Sequence, residues 1–420
     1  MLDIKLIREQ PEHVRQALLK RLDSVDFSEL LASDEARKRS QSALEVKRTR
    51  RNEVSASVPA LKKAGADVQP VFAEMKELGE EIKRLEAGLA ELERKIFDQM
   101  AVLPNLPDDD VLAGGKENNH VIDTWGKKPS FDFEPKDHVA LLGGLGWIDY
   151  ARGVKLGGSG FWVYRGQGAR IEWALLNFFV ERHLAAGYEF VLPPHLLLPA
   201  CGYTAGQFPK FAGDVFNLEP AEGEEPRFLV PTAETALVNL HRDEILSEAE
   251  LPRKYFAYTP CYRKEAGSYR TEERGSVRGH QFNKVELFQY CRPEESPRTL
   301  EQMLAHACSL VRELGLHYQV TKLAARDASS LMAKTFDIEV WIPSMQQYKE
   351  VSSASNARDY QARRGQIRFR PEAQKKLELV HTLNASGLAT SRLLPAIAEQ
   401  FQRADGSIAI PPVLQKWLGP

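Results

Sequence analysis

Between Met75 and Ile96 the apolar residues fall at alternating spacings of three and four: Met75, Leu78, Ile82, Leu85, Leu89, Leu92 and Ile96. A stripe of this period is a heptad seam, and a lone helix in water cannot bury it, so it requires a partner helix. A weaker complement lies just upstream in Leu44, Val54, Val58 and Leu61, and Ala64-Gly65-Ala66-Asp67 supplies a turn between the two runs. From about Ser28 to Leu103 the chain is rich in Glu, Lys, Arg, Leu and Ala, has no Trp or Tyr, and holds only the prolines Pro59 and Pro70. The pattern predicts an antiparallel helical hairpin over about 28–103. Each arm of roughly thirty residues would extend about 45 Å at the α-helical rise.

The two arms differ in charge. Residues 37–63 carry nine bases (Arg37, Lys38, Arg39, Lys47, Arg48, Arg50, Arg51, Lys62 and Lys63) and two acids, Glu45 and Glu53. The second arm is mixed and slightly acidic. A basic face on a protruding rod suits a phosphate backbone, and a solvated coiled-coil surface has the same appearance. Taken alone, the run leaves both readings open. The whole chain does not decide between them, because 56 Lys+Arg stand against 58 Asp+Glu. Any nucleic-acid contact must therefore come from a local patch.

Pro104-Asn105-Leu106-Pro107 ends the helical stretch, and beyond it the texture is mixed α and β. Two domains are expected: an N-terminal domain over 1–103 carrying the hairpin, and a second over 104–420. The length of 420 residues and the 43% apolar content support a substantial core. The start, MLDIKLIREQ, lacks an apolar secretory region, and no run of about eighteen apolar residues suggests a membrane span. Cys201, Cys261, Cys291 and Cys308 form no C-x-x-C and read as reduced thiols of a cytoplasmic protein.

Three segments alternate like strands with one polar face. Tyr255–Glu265 carries Cys261, Arg263 and Glu265 on one side. In Phe282–Tyr290, Phe282, Lys284, Glu286 and Phe288 share a face opposite Val285 and Leu287. In Thr335–Ile342, Phe336, Ile338, Val340 and Ile342 oppose Asp337 and Glu339. An antiparallel sheet with one face on the core and one polar fits all three, and the polar face either meets water or lines a ligand site. The long loop between the first two, 266–280, is basic at Arg270, Arg274 and Arg278 and suits phosphate recognition. Near the C-terminus, Arg392 opens a helix with an apolar stripe at Leu393, Ile397 and Phe401, a weak anion-site signal. The chain has no G-x-x-x-x-G-K-[ST], no dinucleotide fingerprint, no H-E-x-x-H and no G-x-S-x-G, which disfavours P-loop, Rossmann, zincin and α/β-hydrolase chemistry.

Six blocks resemble one family. They are Pro231-Thr232-Ala233-Glu234, Tyr262-Arg263-Lys264-Glu265-Ala266-Gly267-Ser268, His280-Gln281-Phe282-Asn283-Lys284-Val285-Glu286, Glu339-Val340-Trp341-Ile342-Pro343, Glu350-Val351-Ser352-Ser353 with Asn356, and His381 through Ala389. In order and spacing they are similar to seryl-tRNA synthetases of bacterial type. The helical hairpin resembles that family's tRNA-binding arm, so the resemblance spans essentially the whole chain. Neither HIGH nor KMSKS is present, in keeping with class II.

The resemblance implies an α+β fold, with an N-terminal antiparallel coiled-coil arm and a catalytic domain built on an antiparallel β-sheet flanked by helices. It implies a homodimer in which one subunit's arm serves the other's active site. It also implies ATP and Mg2+, activation of serine to seryl-adenylate, and transfer to tRNA(Ser), with tRNA(Sec) left open. By resemblance, Arg263 bridges the serine carboxylate and the α-phosphate, and Arg392 holds the terminal phosphate. Lys264, Glu265, Phe282, Val351 and Ser352 belong to the ATP site, with Glu265 on the adenine amino group and Phe282 stacked on the ring. Glu350 and Ser353 are the implied metal ligands. Thr232, Ala233, Glu234, Glu286, Asn384 and Ser386 form the implied serine pocket. His280 and Lys284 read as braces of the loop, and Glu339 as either a supporting or a metal-site residue. The chain departs from the common family pattern at Arg326, Ala385 and Ser391. Two other readings stay open: a paralogue that feeds a biosynthetic pathway, and a non-catalytic RNA-binding scaffold. The scaffold should have lost Arg263, Glu350 or Arg392, and all three are present.

Overall fold

The structure, a computed structural model, describes residues 1–265, 275–373 and 375–419. It divides into two compact units, one of Leu2–Leu19 with Asp23–Leu103, the other of Met1, Lys20–Leu22 and Pro104–Pro420.

In the smaller unit, helices α1 (Ile4–Glu9) and α2 (Pro11–Leu19) precede two long antiparallel helices, α3 (Ser28–Lys63) and α4 (Gln69–Val102). Leu44 and Val54 of α3 and Leu78 and Ile82 of α4 are buried, and the rest of the α4 seam is half-buried. Gly65 makes the turn with φ +69°, in the left-handed region open to glycine. Pro59 stands inside α3 without ending it. Lys47–Glu81 at 2.6 Å, Arg48–Glu86 at 2.7 Å and Arg50–Glu74 at 2.8 Å tie the arms across their exposed sides. Arg37 and Lys38 are held by the buried Asp34. Five of the nine bases are therefore already paired with acids of the same unit.

The larger unit is built on an eight-stranded sheet. Its strands are β1 (His120–Trp125), β2 (Glu189–Val191), β3 (Arg253–Tyr262), β4 (Gln281–Cys291), β5 (Tyr318–Lys322), β6 (Lys334–Ile342), β7 (Gln347–Arg358) and β8 (His381–Ala389). Their spatial order is β1-β5-β6-β7-β8-β4-β3-β2, and every pairing is antiparallel except β2 with β3. Helices α5 (Gly166–Ala185), α7 (Ser296–Glu313) and α9 (Thr390–Gln400) cover one face. There Phe178, Phe179, Met303, Leu310, Leu393 and Ile397 pack on Val285, Leu287, Ile338, Val340 and Leu383. On the other face, short helix α6 (Glu234–Leu237) and α8 (Tyr360–Gly365) border a second cluster with Leu237, Phe288, Tyr290 and Ala362. Strand alternation thus sends Val285 and Leu287 into the main core and leaves Lys284 and Glu286 on the opposite side. The expected α+β architecture, with a helical arm and a predominantly antiparallel sheet flanked by helices, is what the chain forms.

Alternation fails at one end of β3. The strand stops at Tyr262, and Glu265 turns into the left-handed region at φ +49°. Arg263 and Glu265 are therefore carried by the turn after the strand. Of the basic loop, Arg270 and Arg274 lie outside the described residues, as do Ala266, Gly267 and Ser268 of the second sequence block. No helix among the described residues is long and apolar enough to cross a membrane. All four cysteines are free thiols.

Candidate active site

The polar face of the sheet opens into a cavity of about 480 Å³. Thr232, Glu234, Arg263, Glu265, Glu286, Glu350, Ser353, Asn384 and Ser386 all line it. A smaller space of about 90 Å³ shares Arg263, Glu265, Glu350 and Ser386 with it and adds Phe282, Val351 and Arg392. Three expected residues line neither space: Ala233 is buried in the second apolar cluster, Ser352 is buried, and Lys264 is exposed. The Ser352 hydroxyl donates to the Ser386 carbonyl at 2.6 Å, so it ties β7 to β8 beneath the cavity. Ala385 faces the main core, which keeps that departure from the family pattern out of the pocket, whereas Ser391 borders the smaller space.

Arg263 is fixed by its backbone and its head group. Its N–H donates to the His280 carbonyl at 2.9 Å, and His280 Nδ1 lies 3.0 Å from the Arg263 carbonyl as its donor. Its Nε donates to the Pro231 carbonyl at 3.1 Å, and the guanidinium lies 5.2 Å from the Phe282 ring centroid. The remaining N–H groups are left to form the planar fork that suits a carboxylate or a phosphate. Arg278 forms a two-point contact with the Glu265 carboxylate, at 2.8 Å and 2.6 Å. Arg392 sits in the first turn of α9, where Nη1 donates to the Glu350 carbonyl at 2.8 Å and Nε to the Val277 carbonyl at 3.2 Å.

At the deep end, acids and bases alternate. Lys284, nearly fully buried, places Nζ 2.7 Å from both Thr232 Oγ1 and Glu286 Oε2. Asn384 donates to Glu286 Oε1 at 2.9 Å and stands 3.4 Å from Glu234 Oε2. Burial, and then the charge of Glu286, push the Glu234 carboxyl up to about 7. This corner is thus a small polar pocket with two carboxylates, a hydroxyl and an ammonium, while a guanidinium stands nearer the mouth.

Glu350 and Ser353 are an odd number of positions apart, and plain alternation would put them on opposite faces. The pairing of β6 with β7 shifts between Ile338 and Glu339, leaving Val351 as an extra residue on β7. This bulge turns both side chains into the larger cavity. A carboxylate and a hydroxyl are hard oxygen donors, and they fit a divalent cation whose shell phosphates complete. Asp337 pairs across the strands with Ser353, its Oδ1 has no hydrogen-bond partner among the described residues, and burial with the neighbouring Glu350 holds its carboxyl well above the usual range. Glu339 turns away, accepting from Thr321 at 2.6 Å and from Gln319 at 2.8 Å.

Lys284, read from the sequence as a brace of the loop, and Arg278, read there as a phosphate-binding arginine, both stand in the cavity wall, whereas the sequence did not single out Gln361, which touches Glu234 from behind. The position of Lys284 on the face of Glu286 was the available signal.

A model of the seryl-tRNA synthetase N-terminal domain matches residues 1–107, and one of the class II core domain of tRNA synthetases (G, H, P, S and T) matches residues 216–401. Serine–tRNA ligase 2 of Clostridium acetobutylicum is 59% identical, with 100% of this chain and 99% of that protein covered. The chain belongs to the seryl-tRNA synthetase family. Serine–tRNA ligase of Thermodesulfovibrio yellowstonii is 45% identical over 100% of this chain and 99% of its own length. Among solved structures, seryl-tRNA synthetase from Pyrococcus horikoshii complexed with ATP superposes with a TM-score of 0.92 at 36% identity, covering 100% and 98% of the two chains. The seryl-tRNA synthetase family is therefore common ground for the arm, the core and the full-length fold.

Proposed function

We propose that this chain activates serine with ATP and transfers it to tRNA(Ser), working in the cytoplasm as a serine–tRNA ligase of class II. The observation that carries this reading is the convergence on one cavity of Arg263, the Glu234–Glu286 pair, and the Glu350–Ser353 pair turned inward by the bulge. Serine enters with its ammonium group toward Glu234 and Glu286 and its carboxylate toward Arg263. A carboxylate oxygen attacks the α-phosphorus of ATP, the bond to the bridging oxygen breaks, and pyrophosphate leaves. The terminal ribose hydroxyl of tRNA then attacks the seryl carbonyl, and AMP leaves.

In such chemistry positioning and charge stabilisation do most of the work. Arg263 spans the carboxylate and the α-phosphate, Phe282 and Glu265 receive the adenine, and Arg392 holds the terminal phosphate. Glu350 and Ser353 would hold Mg2+, which when bound supplies charge neutralisation at the phosphates. Polar groups around the serine side chain would be left unpaired by alanine, which favours serine. The arm's basic face receives the tRNA backbone. Exposed apolar residues on and near α5 and β2, including Trp173, Leu184, Phe190 and Leu192, support a homodimer through that face.

Serine-dependent ATP–pyrophosphate exchange tests the reading, with alanine, threonine and cysteine as controls. Wild type should exchange with serine far better than with the others, and Arg263→Ala should abolish exchange. No serine-dependent exchange by folded wild type would remove the proposal.

A further inference from the structure

Gln361 lines neither cavity, yet it is almost fully buried and one of its described hydrogen bonds reaches Glu234 in the serine corner. Its Nε2 donates to Glu234 Oε1 at 2.7 Å and to the Ala205 carbonyl at 3.0 Å. Its Oε1 accepts from the Thr382 hydroxyl at 2.7 Å. The alternative amide orientation would set Oε1 against a carboxylate and a carbonyl, two acceptors facing an acceptor, so the partners fix the amide. Donation therefore runs one way, from Thr382 on β8 through Gln361 on α8 to Glu234 on α6.

We propose that Gln361 is a positioning residue of the serine subsite, fixing the Glu234 carboxylate as a hydrogen-bond acceptor aimed at the substrate's ammonium group. The inference rests on the reading of the cavity as a serine-activating site.

The physical need for such a residue comes from the surroundings of Glu234. The charged groups that face it are Glu286 and Lys284 from β4 and Arg263 from the turn after β3; β8 and α8 present the neutral amides of Asn384 and Gln361. Burial and the Glu286 charge favour the protonated form of Glu234. The Gln361 hydrogen bond is the foremost influence in the other direction, ahead of Lys284 and Arg263. A protonated Glu234 would offer the substrate ammonium group a donor where it needs an acceptor. Loss of the amide should therefore weaken serine binding at neutral pH and leave nucleotide binding alone. Raising the pH should restore what was lost, because Glu234 then ionises without help.

The test is the pH profile of serine kcat/KM in pyrophosphate exchange for wild type, Gln361→Met and Thr382→Val, with ATP KM measured alongside. The first substitution keeps the volume and removes the donor. The second removes the hydroxyl from which Oε1 accepts, which leaves the amide held on its donor side alone. In wild type the serine profile should rise through about pH 7. In Gln361→Met the rise should move up by about one pH unit, with serine KM about fivefold higher at pH 7, a deficit that closes toward pH 9, and ATP KM unchanged. Thr382→Val should shift the same way by less, and it decides the matter if Gln361→Met does not fold. A uniform loss of kcat with an unmoved profile, or an equal rise in ATP KM, would overturn the assignment. Absence of serine-dependent exchange in wild type would instead defeat the functional reading beneath it.

Discussion

Glu172 on α5 shows how the fold keeps a carboxyl where water cannot reach it. Its Oε1 accepts from Asn283, the residue after Phe282, at 2.7 Å and from the hydroxyl of Thr390, the first residue of the helix that carries Arg392. Burial pushes this carboxyl up to about 7, partly offset by those two donors. The folded state thus holds a proton that the unfolded chain releases at 4.5, the ordinary value. For this group, stability is fully present below about pH 4.5 and is lost as pH rises through about 7. Glu172→Gln keeps the acceptor oxygen and removes the titration. Its denaturation midpoint should exceed that of wild type at pH 8, by on the order of 2–3 kcal/mol in stability, and the gap should close toward pH 5. Urea unfolding at the two pH values checks this. A residue such as Glu172 is not legible in sequence, and neither is Gln361. Thr382 lies 21 positions from Gln361 and Ala205 lies 156 away, and no spacing encodes such meetings. Arg263, Glu286 and Glu350 were legible as candidates because they sit in contiguous blocks with a recognisable family pattern, and Arg392 because it follows the last block by three positions.

At the scale of elements, periodicity was the most readable signal where burial is one-sided. The α4 seam has one face on a core and one face away from it, and β4 and β6 send alternate residues to opposite faces of the sheet, so period alone locates them. Where a strand bends, period misleads. Val351 is one extra residue, and without it Glu350 and Ser353 would face apart. The end of β3 at Tyr262 is a similar case, since the positive φ of Glu265 is a property of the turn. The hairpin also makes a separable prediction. Leu44 is 2% exposed and Ile82 is 4% exposed, the deepest of the four buried seam residues. Truncating either to alanine should cost the hairpin about 2–4 kcal/mol. Hydrogen exchange should then lose protection along α3 and α4, while serine-dependent pyrophosphate exchange keeps its wild-type rate. Loss of both together would mean that the arm and the catalytic unit do not behave as separate folding units.

For the molecule as a whole, the proposed contact between the arm and tRNA predicts how affinity responds to salt. Neutralising phosphates releases counterions, so affinity should fall steeply as salt rises. The nine bases overstate the effect, because Lys47, Arg48 and Arg50 already face Glu81, Glu86 and Glu74. A plot of log affinity against log salt should therefore be shallower than nine independent cations would give. Replacing Glu74, Glu81 and Glu86 together by glutamine should tighten tRNA binding at moderate salt and steepen the slope. Filter binding over a salt series reads both, and a salt-independent affinity would exclude the arm as the RNA contact. The same three pairs have a mechanical consequence. Each lies at the surface and is screened by water, so a phosphate can capture the cation and leave its glutamate unmatched. A rod cross-linked by bonds its own cargo can take is stiffest when empty. On the proposed reading of the arm as the RNA contact, a loaded arm should bend more easily, and its compliance would measure how much RNA it carries.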